Sequence, residues 1–144
     1  MKQDIIHSLK KSLADSYALY LKTQNYHWNV EGPNFRNLHL MFEEQYKDLA
    51  DAVDTLAELI RGLGEKAPAT FEFYMKHTSI KHGNEELSSE KMLQDLIHDQ
   101  GVIEQTLHET LKIAQKFEDE VVGDFMIQRL TQHRKTKWML KSSL

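Results

Sequence analysis

His27 and His39 stand six residues either side of Pro33, and Glu43 follows His39 by one helical turn. If the chain folds back at Gly32-Pro33 as two antiparallel helices, both imidazoles reach one level and Glu43 extends the set. Two imidazoles and one carboxylate with open positions suit a divalent iron centre. Asp54 and Glu58 repeat the one-turn spacing farther along as a second carboxylate pair. At about 100° per residue, His39, Glu43, Asp54 and Glu58 fall within about 100° of one another and border the core face of their helix. Yet nineteen residues separate His39 from Glu58, about 28 Å along a helix axis. One helix cannot bring them to one metal. A two-fold axis can, because the midpoint of positions 39 and 58 coincides with that of 43 and 54, between Asp48 and Leu49. Two copies paired antiparallel about that point set His39 against the partner subunit's Glu58, and Glu43 against the partner subunit's Asp54, twice per dimer. The candidate site is therefore His27, His39 and Glu43 from one chain with Asp54 and Glu58 from the other. Lys47 lies inside the same stripe and must pair with an acid or point away.

The elements that position these residues read as four long helices. The first runs from about Asp4 to Glu31, with Ile6, Leu9, Leu13, Tyr17 and Tyr20 at steps of three and four, and stops at Gly32-Pro33. The second, about Asn34 to Leu63, carries Phe35, Phe42, Leu49, Leu56 and Leu63 at intervals of seven, and Gly62 and Gly64 end it. Periodicity weakens from Gly64 to Ser89, which predicts a crossover with a short helix near Phe71–His77. Ser88 or Ser89 caps a third helix to Lys116, carrying Leu93, Leu96, Ile103, Leu107 and Leu111. A fourth runs from Asp119 to Ser142 through Val122, Phe125, Met126, Leu130 and Trp138. Short, long and short connections between four helices describe an all-α, ferritin-like four-helix bundle filling residues 1–144 as a single domain. The Glu-x-x-His motif of an intra-bundle di-iron site is absent, since no Glu has a His three residues later.

Composition supports this and excludes other classes. With 6 Gly and 2 Pro in 144 residues, a turn-dense β-sandwich is ruled out. No Cys is present, so thiolate sites, disulfides and thiol nucleophiles are excluded, while 8 His remain as ligand candidates. No apolar run reaches the ~18 residues of a membrane span, and the start lacks a signal peptide's apolar stretch, which makes the cytoplasm the expected compartment. Lys and Arg number 18 against 22 acids, a balance of −4 that argues against a dedicated nucleic-acid binder.

The stretch from His27 to Gly64 resembles the signature of the Dps family of mini-ferritins: His-Trp-Asn, Gly-x-x-Phe, His39, then Asp-x-x-x-Glu before Arg61-x-Leu-Gly. The helix plan and the late Lys-x-x-Trp-Met-Leu segment are similar too, so the resemblance spans essentially the whole chain. It implies a hollow homododecamer built from two-fold dimers that oxidises Fe(II), preferably with hydrogen peroxide, and stores ferric mineral. It also implies a ferroxidase centre shared across the dimer two-fold, its ligands matching His27, His39, Asp54 and Glu58. Glu43 stands where the family usually has Asp, and Leu59 where many members have Arg. Zinc can substitute for iron at such ligands. Trp28 reads as an aromatic anchor at the dimer seam; the resemblance adds the role of an electron donor that intercepts radicals. Glu118, Asp119, Glu120 and Asp124 read as helix-capping acids, and the resemblance makes Asp119 and Asp124 lining residues of a pore that admits Fe(II).

The remaining histidines (His7, His77, His82, His98, His108 and His133) have no partner set in sequence, and surface or interface packing is expected of them. No Lys-rich tail lies outside the helices. Twelve copies at −4 each repel DNA at modest salt, so direct DNA binding is not expected. Two other readings stay open: a structural or nucleoid-protecting shell with weak iron oxidation, and a mononuclear oxygenase using His27, His39 and Glu43.

Overall fold

The computed structural model describes residues 1–144 as five helices and no strand: α1 (Lys2–Asn29), α2 (Phe35–Gly62), α3 (Phe71–His77), α4 (Ser89–Lys116) and α5 (Glu120–Ser142). α1 begins two residues earlier than the periodicity suggests and ends two earlier. Val30 is already extended (φ −62°, ψ 141°), and Gly32 at φ 114° makes the turn into Pro33. Side chains cap the later helices as their types predict. Thr70 Oγ1 accepts from Phe73 N, Ser88 Oγ from Lys91 N, and Asp119 Oδ1 from Val122 N. α4 ends in a left-handed cap at Glu118 (φ 58°), where the Asp119 N–H donates to the Ala114 carbonyl at 2.8 Å. No helix is long and apolar enough to cross a membrane.

α1 packs on both α2 and α4, α5 packs on α4, and α2 touches α5 to close the ring. Paired residues show the directions. His27 meets His39 and Tyr20 meets Tyr46, so α2 runs antiparallel to α1. Asp15 meets Thr106 and Tyr26 meets Asp95, so α4 is antiparallel to α1 as well. α2 and α4 are therefore parallel, and the chain between them must traverse the bundle's length. This is why the crossover is long.

The heptad stripe of α2 enters the core through Phe42, Leu49 and Leu56, joined by Leu9, Leu13, Leu96, Ile103 and Leu107 from α1 and α4. Each such side chain contributes about 1.5–3 kcal/mol by leaving water. The crossover is pinned by polar contacts instead. Asp15, fully buried on α1, accepts from Thr78 Oγ1 (2.7 Å), Ser79 N (2.7 Å) and Thr106 Oγ1 (2.6 Å). Lys11 Nζ donates to the His77 carbonyl at 2.8 Å. Lys22, 2% exposed, reaches Asp99 at 2.8 Å and Asp95 at 3.1 Å. Burial pushes the Asp99 carboxyl above its ordinary value, which this lysine counters.

Two expectations fail. Trp138, placed on the apolar stripe of the last helix, is 64% exposed. His133 is not at a surface. It is 2% exposed in the bundle interior, where its Nε2 lies 3.1 Å from Arg129 Nη2 and its Nδ1 lies 2.7 Å from Gln100 Oε1. Arg129 can only donate, so the ring is neutral with its proton on Nδ1, donated to Gln100. Burial, and then the Arg129 charge, hold His133 well below the usual histidine range. Arg129 in turn makes a two-pronged pair with Asp48 at 3.0 and 2.9 Å.

Candidate metal centre

The Gly32-Pro33 turn does what its position predicts. It folds α2 back along α1 so that the rings of His27 and His39 stack, 3.9 Å apart and 12° from parallel. Each imidazole Nδ1 lies 2.7 Å from the other residue's backbone carbonyl, His27 to His39 and His39 to His27. A carbonyl accepts only, so both Nδ1 atoms carry a proton, and it is Nε2 of each ring that remains to meet a further partner. This reciprocal arrangement fixes the orientation of both imidazole rings using main-chain atoms alone. His27 is buried and His39 half-buried.

Glu43 joins this pair from the next turn of α2, its Oε1 3.7 Å from His27 Nε2. Lys47 pairs with an acid, its Nζ lying 3.4 Å from Glu43 Oε2. Asp54 and Glu58 stand together on the same helix but far from the histidines, both exposed. Hydrogen bonding with Asp54 and its negative charge raise the Glu58 carboxyl above the ordinary value. Two acids that repel in this way are suited to sharing a cation. Within one chain, no three His, Asp or Glu residues converge to hold a metal ion. His27, His39 and Glu43 are thus brought together at one end of α2, and Asp54 and Glu58 stand apart from them toward its other end.

The bundle interior offers no rival cation site at its centre. Arg129 and its Asp48 partner occupy the α2–α5 contact, and His133 spends both ring nitrogens on protein partners. An arginine there disfavours a divalent cation by like charge.

Trp28, beside His27 in sequence, faces outward at 62% exposure, with Phe35 at 42% nearby across the turn, where both line one surface pocket. Asp119 caps α5, and Asp124 accepts from Gln128 Nε2 at 2.7 Å. With Glu118 and Glu120 they line a surface cleft over Gly123 and Ile127. Tyr46 was not singled out from sequence. Its ring stands 5.2 Å from that of His27, edge-on at 62°. The available signal was its place seven residues after His39, two turns along the same face.

Residues 6–144 match the ferritin-like domain family. The chain is similar to DNA protection during starvation protein 2 of Bacillus anthracis, with 34% identity over all of this chain and 99% of that one. It is similar also to general stress protein 20U of Bacillus subtilis, with 33% identity over 100% and 99%. Among solved structures, Dps from Staphylococcus aureus superposes with a TM-score of 0.95 at 34% identity, covering 99% of this chain and 95% of that one. Dps from Vibrio cholerae, described as a member of a broad superfamily of ferritin-like diiron-carboxylate proteins, gives 0.94 at 30% identity over 98% and 89%. A helix plan with one long crossover, a histidine pair at the first turn and a carboxylate pair on the second helix thus meet relatives matched end to end, and the chain belongs to the Dps family of ferritin-like proteins.

Proposed function

We propose that this protein is an iron-oxidising and iron-storing mini-ferritin whose oxidation centres lie between subunits. His27, His39 and Glu43 of one protomer hold Fe(II) together with Asp54 and Glu58 of the partner subunit, at two equivalent sites related by the two-fold axis. Hydrogen peroxide is the preferred oxidant, and the ferric product is sequestered inside a hollow homododecamer in the cytoplasm. Fe(II) is substrate here, and zinc competes for the same ligands.

The observation that carries this reading is the reciprocal pair of Nδ1 contacts to main-chain carbonyls, which frees both Nε2 atoms beside Glu43. Neutral imidazole and carboxylate donors suit iron's ligand preference, and the fixed rings need no rearrangement to bind. Glu43 is one methylene longer than the Asp usual at this position in the resembling family, so it must fold back or shift the metal toward the partner subunit's Asp54. Trp28 anchors the subunit seam and is a candidate electron donor. Asp119 and Asp124 belong to a negative path that concentrates Fe(II) at the shell.

Mixing two inactive variants tests the shared site. His39→Ala and Glu58→Ala assemblies are each expected to lose peroxide-dependent Fe(II) oxidation, and subunits of the two mixed during refolding to regain it. A mixed dimer has one site carrying both defects and one site intact, whereas an intrachain site leaves every site defective. Absence of recovery, with subunit exchange shown by mass spectrometry, would sink the intersubunit assignment.

A further inference from the structure

Glu43 divides its two carboxylate oxygens between different partners. Oε1 lies 3.7 Å from His27 Nε2, on the side where the imidazoles stack, and Oε2 lies 3.4 Å from Lys47 Nζ. Among His27, His39, Glu43, Asp54 and Glu58, Glu43 is the one paired with a basic side chain. Lys47 follows Glu43 by four residues on α2. The two side chains therefore stand one turn apart on one face, with the acid nearer the helix N-terminus, the more favourable order for such a pair. The contact is a loose one. The Lys47 side chain is 65% exposed, and holding a long flexible chain in a solvated pair gains little. Glu44 and Asp51, both exposed, stand three residues before Lys47 and four after it. An ammonium leaving Glu43 thus finds another acid one turn away.

We propose that Lys47 is a tethered competitor of the metal. It occupies Glu43 when no cation is bound, must leave for Glu43 to act as a full ligand, and so sets how tightly this centre holds an ion. The proposal rests on the iron-oxidising reading above and adds to it a residue that tunes the centre. An ammonium has three donors and no lone pair, so Lys47 cannot itself be a ligand. It can only compete. With the ammonium about 6 Å from a divalent ion, their repulsion at the dielectric of water already amounts to about a tenfold loss of affinity. Turning toward Glu44 or Asp51 recovers part of that loss.

The same charge acts unequally on substrate and product. Repulsion scales with the product of the charges, so Fe(III) is opposed half as strongly again as Fe(II). A residue that weakens Fe(II) binding therefore weakens retention of Fe(III) more. Lys47 returning to Glu43 then favours a centre that passes its product on to the store over one that keeps it.

The test uses the assembled protein and Zn(II), which has no redox chemistry. Isothermal titration calorimetry is run at ~150 mM salt, where distant charges are screened. Lys47→Gln removes the charge and is expected to bind Zn(II) about 3- to 10-fold more tightly than the parent. Lys47→Arg keeps the charge and can grip both oxygens of Glu43, so it is expected to bind no more tightly than the parent. Release is read from two successive equal aliquots of Fe(II) given with hydrogen peroxide. The parent is expected to oxidise the second as fast as the first, and Lys47→Gln to oxidise it more slowly, its sites still carrying ferric product. A merely structural role for this exposed side chain moves neither readout. Zn(II) affinity unchanged in Lys47→Gln, affinity raised equally in Lys47→Arg, or a second aliquot that Lys47→Gln oxidises as fast as the first would overturn the role of Lys47 alone. Zn(II) binding that His39→Ala leaves intact would overturn the metal-centre reading itself.

Discussion

His133 makes the stability of this bundle depend on pH in a calculable way. The folded ring is neutral and enclosed, with Arg129 on Nε2 and Gln100 on Nδ1, and its pKa is depressed by burial and by that guanidinium. The unfolded chain binds a proton near the ordinary value of about 6.5. Because the folded pKa is the lower one, unfolding takes up a proton below that pH. Stability is complete above it and is lost as pH falls toward the folded pKa. One proton contributes about 1.4 kcal/mol per pH unit, so acidification from about 6.5 to about 5.0 should remove about 2 kcal/mol through this residue. At a urea dependence of about 2 kcal/mol/M, the unfolding midpoint should fall by about 1 M. The control is His133→Gln, whose amide can donate to Gln100 and accept from Arg129 without titrating. Urea unfolding followed by circular dichroism, at fixed protein concentration because assembly also shifts the midpoint, should show the parent losing that extra increment and the variant not. Equal losses in both proteins over this pH interval would refute the neutral, enclosed assignment of His133.

Shortening Glu43 to Asp should keep or raise peroxide-dependent Fe(II) oxidation, whereas Glu43→Ala should lower it about 10- to 100-fold, the scale of losing ligation support; an unchanged Ala variant with unchanged Fe(II) affinity would remove Glu43 from the donor set. Asp15→Ala should cost about 3–5 kcal/mol, because Thr78, Ser79 and Lys11 lose a buried acceptor that ties the crossover to α1; thermal or urea unfolding checks it, and a cost below 1 kcal/mol would show the crossover to be held elsewhere. In gel-shift assays near neutral pH, DNA should not be retained at ~150 mM salt, since contacts to phosphates weaken steeply with salt; retention without a bridging metal would overturn the reading from charge.

The two halves of the candidate site were legible in the sequence because both depend on local geometry. His39–Glu43 and Asp54–Glu58 are one-turn pairs on one helix, and His27 meets His39 because a Gly-Pro break places equal lengths of chain on either side. The helices, their caps at Ser88 and Asp119, and the long crossover follow from the same short-range periodicity. What the sequence could not show is the tautomer of the two histidines. It depends on the axial stagger of α1 against α2, which puts each ring nitrogen on the opposite main-chain carbonyl. Nor could it place His133, whose partners Gln100 and Arg129 come from two helices and whose charge environment includes Asp48 from a third. The same holds for Trp138, whose exposure follows from the rotation of α5 about its own axis. Spacing within a helix is written into its 3.6-residue repeat, but stagger and rotation between helices are decided by how all the side chains pack at once.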